Sequence, residues 1–167
     1  MTRRTLLLST ATTALAASVV LTGCDVSVDL GGRDPGDRAT EERSITDVSA
    51  VELATTGSLS LSVGDKPSLT ITAGENVLDR LTTEVTGDTL VIDLPGTWRN
   101  PGRIDYDLVL PALSSVTLSG SGAIDGDIGG SGAIELLING SGDIDLDEID
   151  AGDLTVTIDG SGAVDVD

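Results

Sequence analysis

The chain has 167 residues, 21 of them glycine, with no phenylalanine or histidine, one tryptophan and one tyrosine. Its core must therefore be a thin layer of valine, isoleucine and leucine rather than the wall of a wide cavity. Nine basic residues against 28 acidic ones leave a formal charge of −19, a field that repels phosphates and excludes a nucleic-acid partner.

Residues 1–23 read as a leader. Arg3 and Arg4 form a basic start, residues 6–20 an apolar run too short for a full bilayer span, and small residues follow. Leu21-Thr22-Gly23-Cys24 resembles the bacterial lipoprotein lipobox. That resemblance implies diacylglyceryl transfer to the Cys24 thiol, cleavage before Cys24 and acylation of the new N-terminus in some bacteria. Cys24 is the only cysteine, so it has no disulfide partner, and lipidation explains it. Two acyl chains hold a protein stably to a bilayer. The expected location is therefore outside the cell, lipid-anchored through Cys24 to the outer face of the bacterial cytoplasmic membrane or in the envelope. Arg3-Arg4 before Thr5-Leu6-Leu7 also bears a faint likeness to a twin-arginine export signal; a plain basic start is the simpler reading.

Residues 24–43 pass into Asp, Gly, Arg, Pro and Glu with few apolar positions after Leu30, which predicts a flexible tether. From residue 44 an alternating pattern begins. Val51 and Leu53 share one face of a first strand. Leu59, Leu61 and Val63 alternate with serines, Gly64-Asp65-Lys66-Pro67 turns, and Leu69 and Ile71 return, so the pattern predicts a hairpin. Residues 75–81 are ambiguous, with a single helical turn as one reading. Residues 82–86 and 89–94 around Gly87-Asp88 predict a second hairpin. Residues 95–102 form a loop with Trp98 and Arg99, either an exposed pair or a tryptophan capping the core. Tyr106, Leu108 and Leu110 make one more strand, closed by Pro111.

Over residues 115–167 one phrase recurs: Gly120-Ser121-Gly122-Ala123-Ile124-Asp125, Gly130-Ser131-Gly132-Ala133-Ile134-Glu135, Gly140-Ser141-Gly142-Asp143-Ile144-Asp145 and Gly160-Ser161-Gly162-Ala163-Val164-Asp165. The starts fall 10, 10 and 20 residues apart, a unit of ten or a double unit of twenty. A fixed period of this kind is the mark of stacked coils. Gly-Ser-Gly reads as the corner, because glycine reaches positive φ freely and a small corner lets coils stack closely.

Several pieces in order carry a family resemblance. They are the Val-Gly-Asp-x-Pro turn at residues 63–67, Glu75-Asn76-Val77-Leu78, Gly87-Asp88-Thr89-Leu90-Val91-Ile92 and Leu110-Pro111-Ala112-Leu113. The last runs into Val116-Thr117-Leu118-Ser119-Gly120-Ser121-Gly122. The chain from 44 to 167 resembles the bacterial head GIN domain family of auto-transporter adhesin-like proteins. The resemblance implies an all-β domain, a right-handed β-helix-like or solenoid stack of short strands with Gly-Ser-Gly corners. It supplies no catalytic residue. One departure is that this chain reaches Asp167 straight after a repeat, where family members commonly continue through further turns. With Val164 and Val166 inward and no cap, the reading favours an incomplete or short family member over an open end that self-associates.

Strand parity puts Ile124, Ile128, Ile144, Leu146, Leu154, Val156, Ile158, Val164 and Val166 inside. The same parity puts Asp125, Asp127, Asp143, Asp145, Asp147, Asp165 and Asp167 outside. From residue 104 to 167 there are 14 acidic residues and no basic one, so these outward rows are read first as a solvated face. A weak calcium contact is the sharper alternative, since calcium takes such oxygen ligands. A nine-residue calcium-binding repeat does not fit, because the period is ten or twenty and the acid at Glu135 falls one place late, on the opposite face.

With no histidine and its cysteine in the lipobox, the chain has no nucleophile–base pair or zinc cluster. Its aspartates share one repeating environment, where acid–base catalysis needs two different ones. The reading is a non-enzymatic, adhesin-like surface binding or scaffold module of the cell envelope, with no cofactor and an unknown surface or envelope partner. An envelope enzyme acting on polysaccharide, or a cation-binding envelope protein, is the alternative.

Overall fold

The computed structural model describes residues 33–129 and 132–166. The leader, the lipobox and Cys24 lie outside these residues, as does Asp167. The described chain is all-β apart from one short helix and forms two mixed sheets.

The first strands are β1 (Arg38–Arg43), β2 (Ala50–Leu53), β3 (Ser58–Val63) and β4 (Ser68–Gly74), followed by α1 (Glu75–Leu78). After these come β5 (Thr82–Thr86), β6 (Thr89–Asp93) and β7 (Asp105–Leu110). The C-terminal part holds β8 (Ser115–Leu118), β9 (Ala123–Gly129), β10 (Ala133–Ile138), β11 (Asp143–Asp150), β12 (Asp153–Ile158) and β13 (Val164–Val166). One sheet has the order β1-β4-β7-β3-β9-β11-β13 and the other β12-β10-β8-β2-β6-β5. Because β1, β4 and β5 run antiparallel to their neighbours, the sheets are mixed, and the whole is not one continuous β-helix-like stack.

From β8 onward the chain alternates between the sheets, one strand in each. The parallel register advances by twenty residues: Ile144 lies beside Ile124 and Val164, and Leu136 beside Val116 and Val156. The inward side chains Ile124, Ile134, Leu136, Ile138, Ile144 and Leu146 are buried. Each is worth roughly 1.5–3 kcal/mol over exposure. A coil carrying so few of them depends on its neighbours.

Two seams join the sheets, and they differ. At the seam crossed between β8 and β9, β10 and β11, and β12 and β13, the corners stack directly. A Cβ on Gly140 would lie 1.8 Å from the Gly120 carbonyl oxygen, one on Gly142 1.8 Å from that of Gly122, and one on Gly160 1.9 Å from that of Gly140. None of these glycines has positive φ. The expected conformational reason for glycine is therefore replaced by a steric one: the next corner's carbonyl occupies the side-chain position. Ser141 and Ser161 N–H groups donate to Gly120 and Gly140 oxygens at 3.1 and 3.0 Å, tying one corner to the next. At the opposite seam a Cβ on Gly132 meets nothing within 4 Å, and Asp150-Ala151-Gly152 makes the turn. Among the described glycines, Gly140, Gly142 and Gly160 of the tight seam are held to glycine by the neighbouring corner's carbonyl, and Gly132 is not.

Three expectations change. The chain of β3 and β4 reverses at residues 64–67, yet these strands are not paired; β7 lies between them, parallel to β3 and antiparallel to β4. The reversal spans one strand's width on either side of β7, about 9–10 Å. Its Gly64 N–H donates to Leu110 O at 3.0 Å. Second, residues 38–43, read as tether, form the edge strand β1. The β5–β6 hairpin stands as read, and the ambiguous stretch at residues 75–81 opens with the helical turn α1.

Third, Leu154, Val156 and Ile158 have inward register beside Ile134, Leu136 and Ile138, but they are 42, 43 and 45% exposed. They lie on the outermost strand of their sheet, and among the described residues no strand is paired beyond it. The other end of the domain is closed. There α1 buries Val77 and Leu78, Leu81 follows, and Arg43 donates through Nη2 and Nη1 to the Leu78 and Leu81 oxygens at 3.0 Å each.

The steric account of the tight seam makes a paired prediction. Gly140→Ala should lower unfolding stability by roughly 1–3 kcal/mol, whereas Gly132→Ala should stay within about 0.5 kcal/mol of wild type. Urea unfolding of both variants checks this, and equal losses would contradict the two-seam description.

Candidate functional site: an acidic ladder beside a polar corner groove

Strand register, rather than chain proximity, assembles the outward face of the seven-stranded sheet. Glu42 lies opposite Thr70, Thr70 opposite Asp107, and Asp107 opposite Ser60. Ser60 lies opposite Asp125, Asp125 opposite Asp145, and Asp145 opposite Asp165. One row thus crosses every strand of the sheet at a spacing of about 4.8 Å. Its last three members are the expected aspartates Asp125, Asp145 and Asp165, all exposed.

Of the other expected residues, Asp127, Asp143 and Asp147 do not join that row, and Asp167 lies outside the described residues. Asp143 Oδ1 accepts a hydrogen bond from the Ala163 N–H at 2.8 Å, so it closes the last described corner. Asp127 lies opposite Glu148, because β11 carries a bulge between Leu146 and Glu148 at Asp147. Unbroken alternation would send Glu148 into the core. The extra residue keeps both acids in solvent and brings Ile149 inward beside Ile128. Sequence parity missed Glu148, Asp107 and Ser60, since a bulge and the insertion of β7 leave no periodic signal. Ser60 Oγ donates to Asp125 Oδ2 at 3.0 Å, the ladder's link to the non-acidic part of the sheet.

Among the described residues no group of three or more His, Cys, Asp or Glu side chains is arranged to hold a metal ion. The interior holds no buried polar or charged residue among them either. Tyr106, fully buried, has its hydroxyl pKa raised by burial and by the nearby charge of Asp93. It donates to the Thr56 carbonyl at 3.3 Å and so braces the first corner. Asp105 sits where β7 begins. Burial pushes its carboxyl up, but hydrogen bonds and charge from Arg103 and Arg38 outweigh that and hold it below the usual range. Arg103 Nε donates to Asp105 Oδ1 at 2.8 Å, and Arg38 reaches the other oxygen from β1.

Along the tight seam runs a groove. One hollow of about 260 Å³ is lined by Thr55, Leu94, Trp98, Pro101 and Ser121. A neighbouring one of about 410 Å³ includes Thr56, Arg103, Ser121, Ser141 and Asp143. The Trp98 ring packs against the core with the Arg33 guanidinium 5.6 Å from its centroid. Arg33, not Arg99, is thus its cationic neighbour. The groove is shallow and mostly polar, suited to surface contact.

Residues 47–167 match the family described as putative auto-transporter adhesin, head GIN domain. The match covers more than half of the chain, and the protein belongs to that family. Its fold is similar to that of a putative adhesin from Bacteroides fragilis NCTC 9343, with TM-score 0.55 at 14% identity over 81% of this chain and 100% of that one. A putative adhesin from Parabacteroides distasonis ATCC 8503 matches with TM-score 0.57 at 16% identity, over 78% of this chain and 65% of that one. A protein from the same organism, described as a putative lipid binding protein, matches with TM-score 0.53 at 21% identity, over 74% of this chain and 63% of that one. This chain therefore spans under two thirds of the length of the latter two. No functionally curated protein matches it.

The ladder generates a salt-dependent prediction. Asp145 has a like charge on each side, and directly opposed like charges destabilise a sheet by roughly 0.2–1 kcal/mol. Asp145→Asn should raise unfolding stability by about that amount at low ionic strength. The gain should shrink as salt screens the row. A loss of stability on substitution would show that the carboxylate is needed in place.

Proposed function

We propose that the protein is an envelope lipoprotein, held to the membrane through acylated Cys24, whose β domain is a non-enzymatic, adhesin-like binding module. Membership of an adhesin-like family supports a surface or envelope location. Among the described residues no helix is long and apolar enough to cross a membrane, and the lipobox ending in the sole cysteine supplies an anchor without one. The observation that carries the binding role is the face itself, a row in register across all seven strands of a sheet behind which no charged residue is fully buried among the described residues. Such a surface offers an extended, regularly spaced set of contacts rather than a closed reaction chamber. In this reading the winding from β8 to β13 is a β-helix-like stack that displays the acidic ladder away from the lipid.

The anchor is tested by partitioning the full chain between detergent and aqueous phases. Wild type should enter the detergent phase and Cys24→Ser the aqueous one; wild type found in the aqueous phase would remove the anchor. The binding role is tested by attachment of cells displaying the full chain to immobilised envelope polysaccharides and proteins. Turnover of a polysaccharide that dies with one aspartate-to-asparagine change would replace it with an enzyme.

A further inference from the structure

The basic residues of the domain gather at one corner. From Arg33 onward there are seven, and four of them, Arg33, Arg38, Arg99 and Arg103, belong to two short segments. Arg33 sets its guanidinium 5.6 Å from the Trp98 ring centroid, and Arg99, exposed, follows Trp98 on its loop. Arg38 and Arg103 share the one carboxylate of Asp105, and the Arg103 side chain is 78% exposed. Asp34 and Asp37 lie on the first segment and Asp93 precedes the second, so the corner is close to neutral. The rest of the chain is not: from residue 104 onward there are 14 acidic residues and no basic one. The domain therefore carries its guanidinium groups at one corner and an unrelieved acidic field toward β13.

The same corner is where the chain leads back to Cys24. Residues 35–37 are held at the start of α1, where the Asn76 and Glu75 N–H groups donate to the Pro35 and Asp37 oxygens at 3.0 and 2.8 Å. The Pro35 oxygen also occupies the place of a Cβ on Gly74. Arg33, two residues before, thus stands at a defined point beside Trp98. Nine residues connect it to Cys24. An extended chain spans at most about 3.3–3.6 Å per residue, so an acylated Cys24 keeps the corner within about 30 Å of the lipid. Trp98 is the only tryptophan, and its indole N–H is buried without an acceptor among the described residues. Tryptophan and arginine together suit the polar layer of a bilayer. There an indole finds both apolar contact and acceptors, and a guanidinium forks onto phosphate oxygens.

We propose that the corner formed by Arg33, Trp98, Arg99 and Arg103 is the membrane-facing surface of the domain, docking on the phosphates of anionic lipids. Charge complementarity and the short reach from Cys24 select that occupant. The proposal rests on the lipid-anchor reading and deepens it, and it can fail while the anchor stands. Acyl chains alone leave the domain free to turn on its tether. Docking of the arginine corner, with repulsion of the acidic ladder by the same lipids, turns the β13 end away from the membrane.

The test uses the full acylated chain in vesicles of phosphatidylcholine with or without phosphatidylglycerol, made with and without a nitroxide on the lipid headgroup. Trp98 is the sole tryptophan, so its emission reports this corner alone. Quenching by the nitroxide should be about twofold or more stronger in the anionic vesicles, and high salt should erase the difference. Arg33→Gln and Arg99→Gln should each cut the ratio of docked to undocked domain about fivefold. Lys66→Gln, in the turn after the far end of β3, should leave it unchanged. Flotation with the vesicles reads the anchor separately. Flotation with equal quenching in both lipids overturns the docking and leaves the anchor in place, as does a Lys66→Gln effect equal to that of the arginine variants. A wild-type chain that does not float overturns both. A Trp98 response to soluble polygalacturonate, with none to anionic vesicles, would assign the corner to an acidic glycan and overturn the docking as well.

Discussion

At one seam of this domain, the place where a corner residue's side chain would go is filled by the carbonyl oxygen of the corner before it. Gly120 meets Thr55, Gly140 meets Gly120, and Gly160 meets Gly140, each within 2 Å of an imagined Cβ. That single steric condition fixes much else. It sets the coils a strand's width apart and aligns the corner serines so that each N–H reaches the corner before it. It also holds the two sheets in a register that repeats every twenty residues. The first rung is not a repeat at all. Residues 55–57 accept the seam from below, with Gly57 at φ 127 against Tyr106 and Ile104, so the buried tyrosine braces the start of the stack.

The same condition explains what the sequence made legible. The spacing of 10, 10 and 20 residues was ambiguous because both seams carry glycine, while the steric demand is seen at Gly140, Gly142 and Gly160 and not at Gly132. Where the seam is loose, Asp150-Ala151-Gly152 replaces Gly-Ser-Gly, and the phrase disappears from the text without the coil disappearing from the fold. Inward and outward parity was readable through β9 and as far as Leu146, since a strand's period is two. It failed at Glu148, where a bulge resets the count. It also overstated β12, because parity gives a side chain's direction and says nothing about whether anything lies opposite.

Long-range pairing was the least legible part. The turn at residues 64–67 has the right chemistry for reversal, and the chain does reverse there. No local signal reveals that β7, some forty residues later, occupies the space between β3 and β4. Nor did the composition of residues 38–43 announce a strand: Arg-Ala-Thr-Glu-Glu-Arg has little to bury. β1 is held instead by its ladder to β4, by Arg43 on the carbonyls behind α1, and by Arg38 on Asp105. Of the candidate residues, parity placed Asp125, Asp145 and Asp165 in one row. Their partners Ser60 and Asp107 came only with the sheet order. The two ends of the domain consequently differ in character, one sealed by α1 and a buttressing arginine, the other acidic and apolar at once.

The twenty-residue winding is most directly tested by cysteine cross-linking in a Cys24→Ser background. Residues opposite each other on neighbouring strands lie within reach of a disulfide. Asp125→Cys combined with Asp145→Cys should therefore oxidise readily to an intramolecular bond, while Asp125→Cys combined with Glu135→Cys, on opposite sheets, should not. Efficient cross-linking of the second pair and not the first would mean a coil of ten residues, and the two-seam account would be wrong.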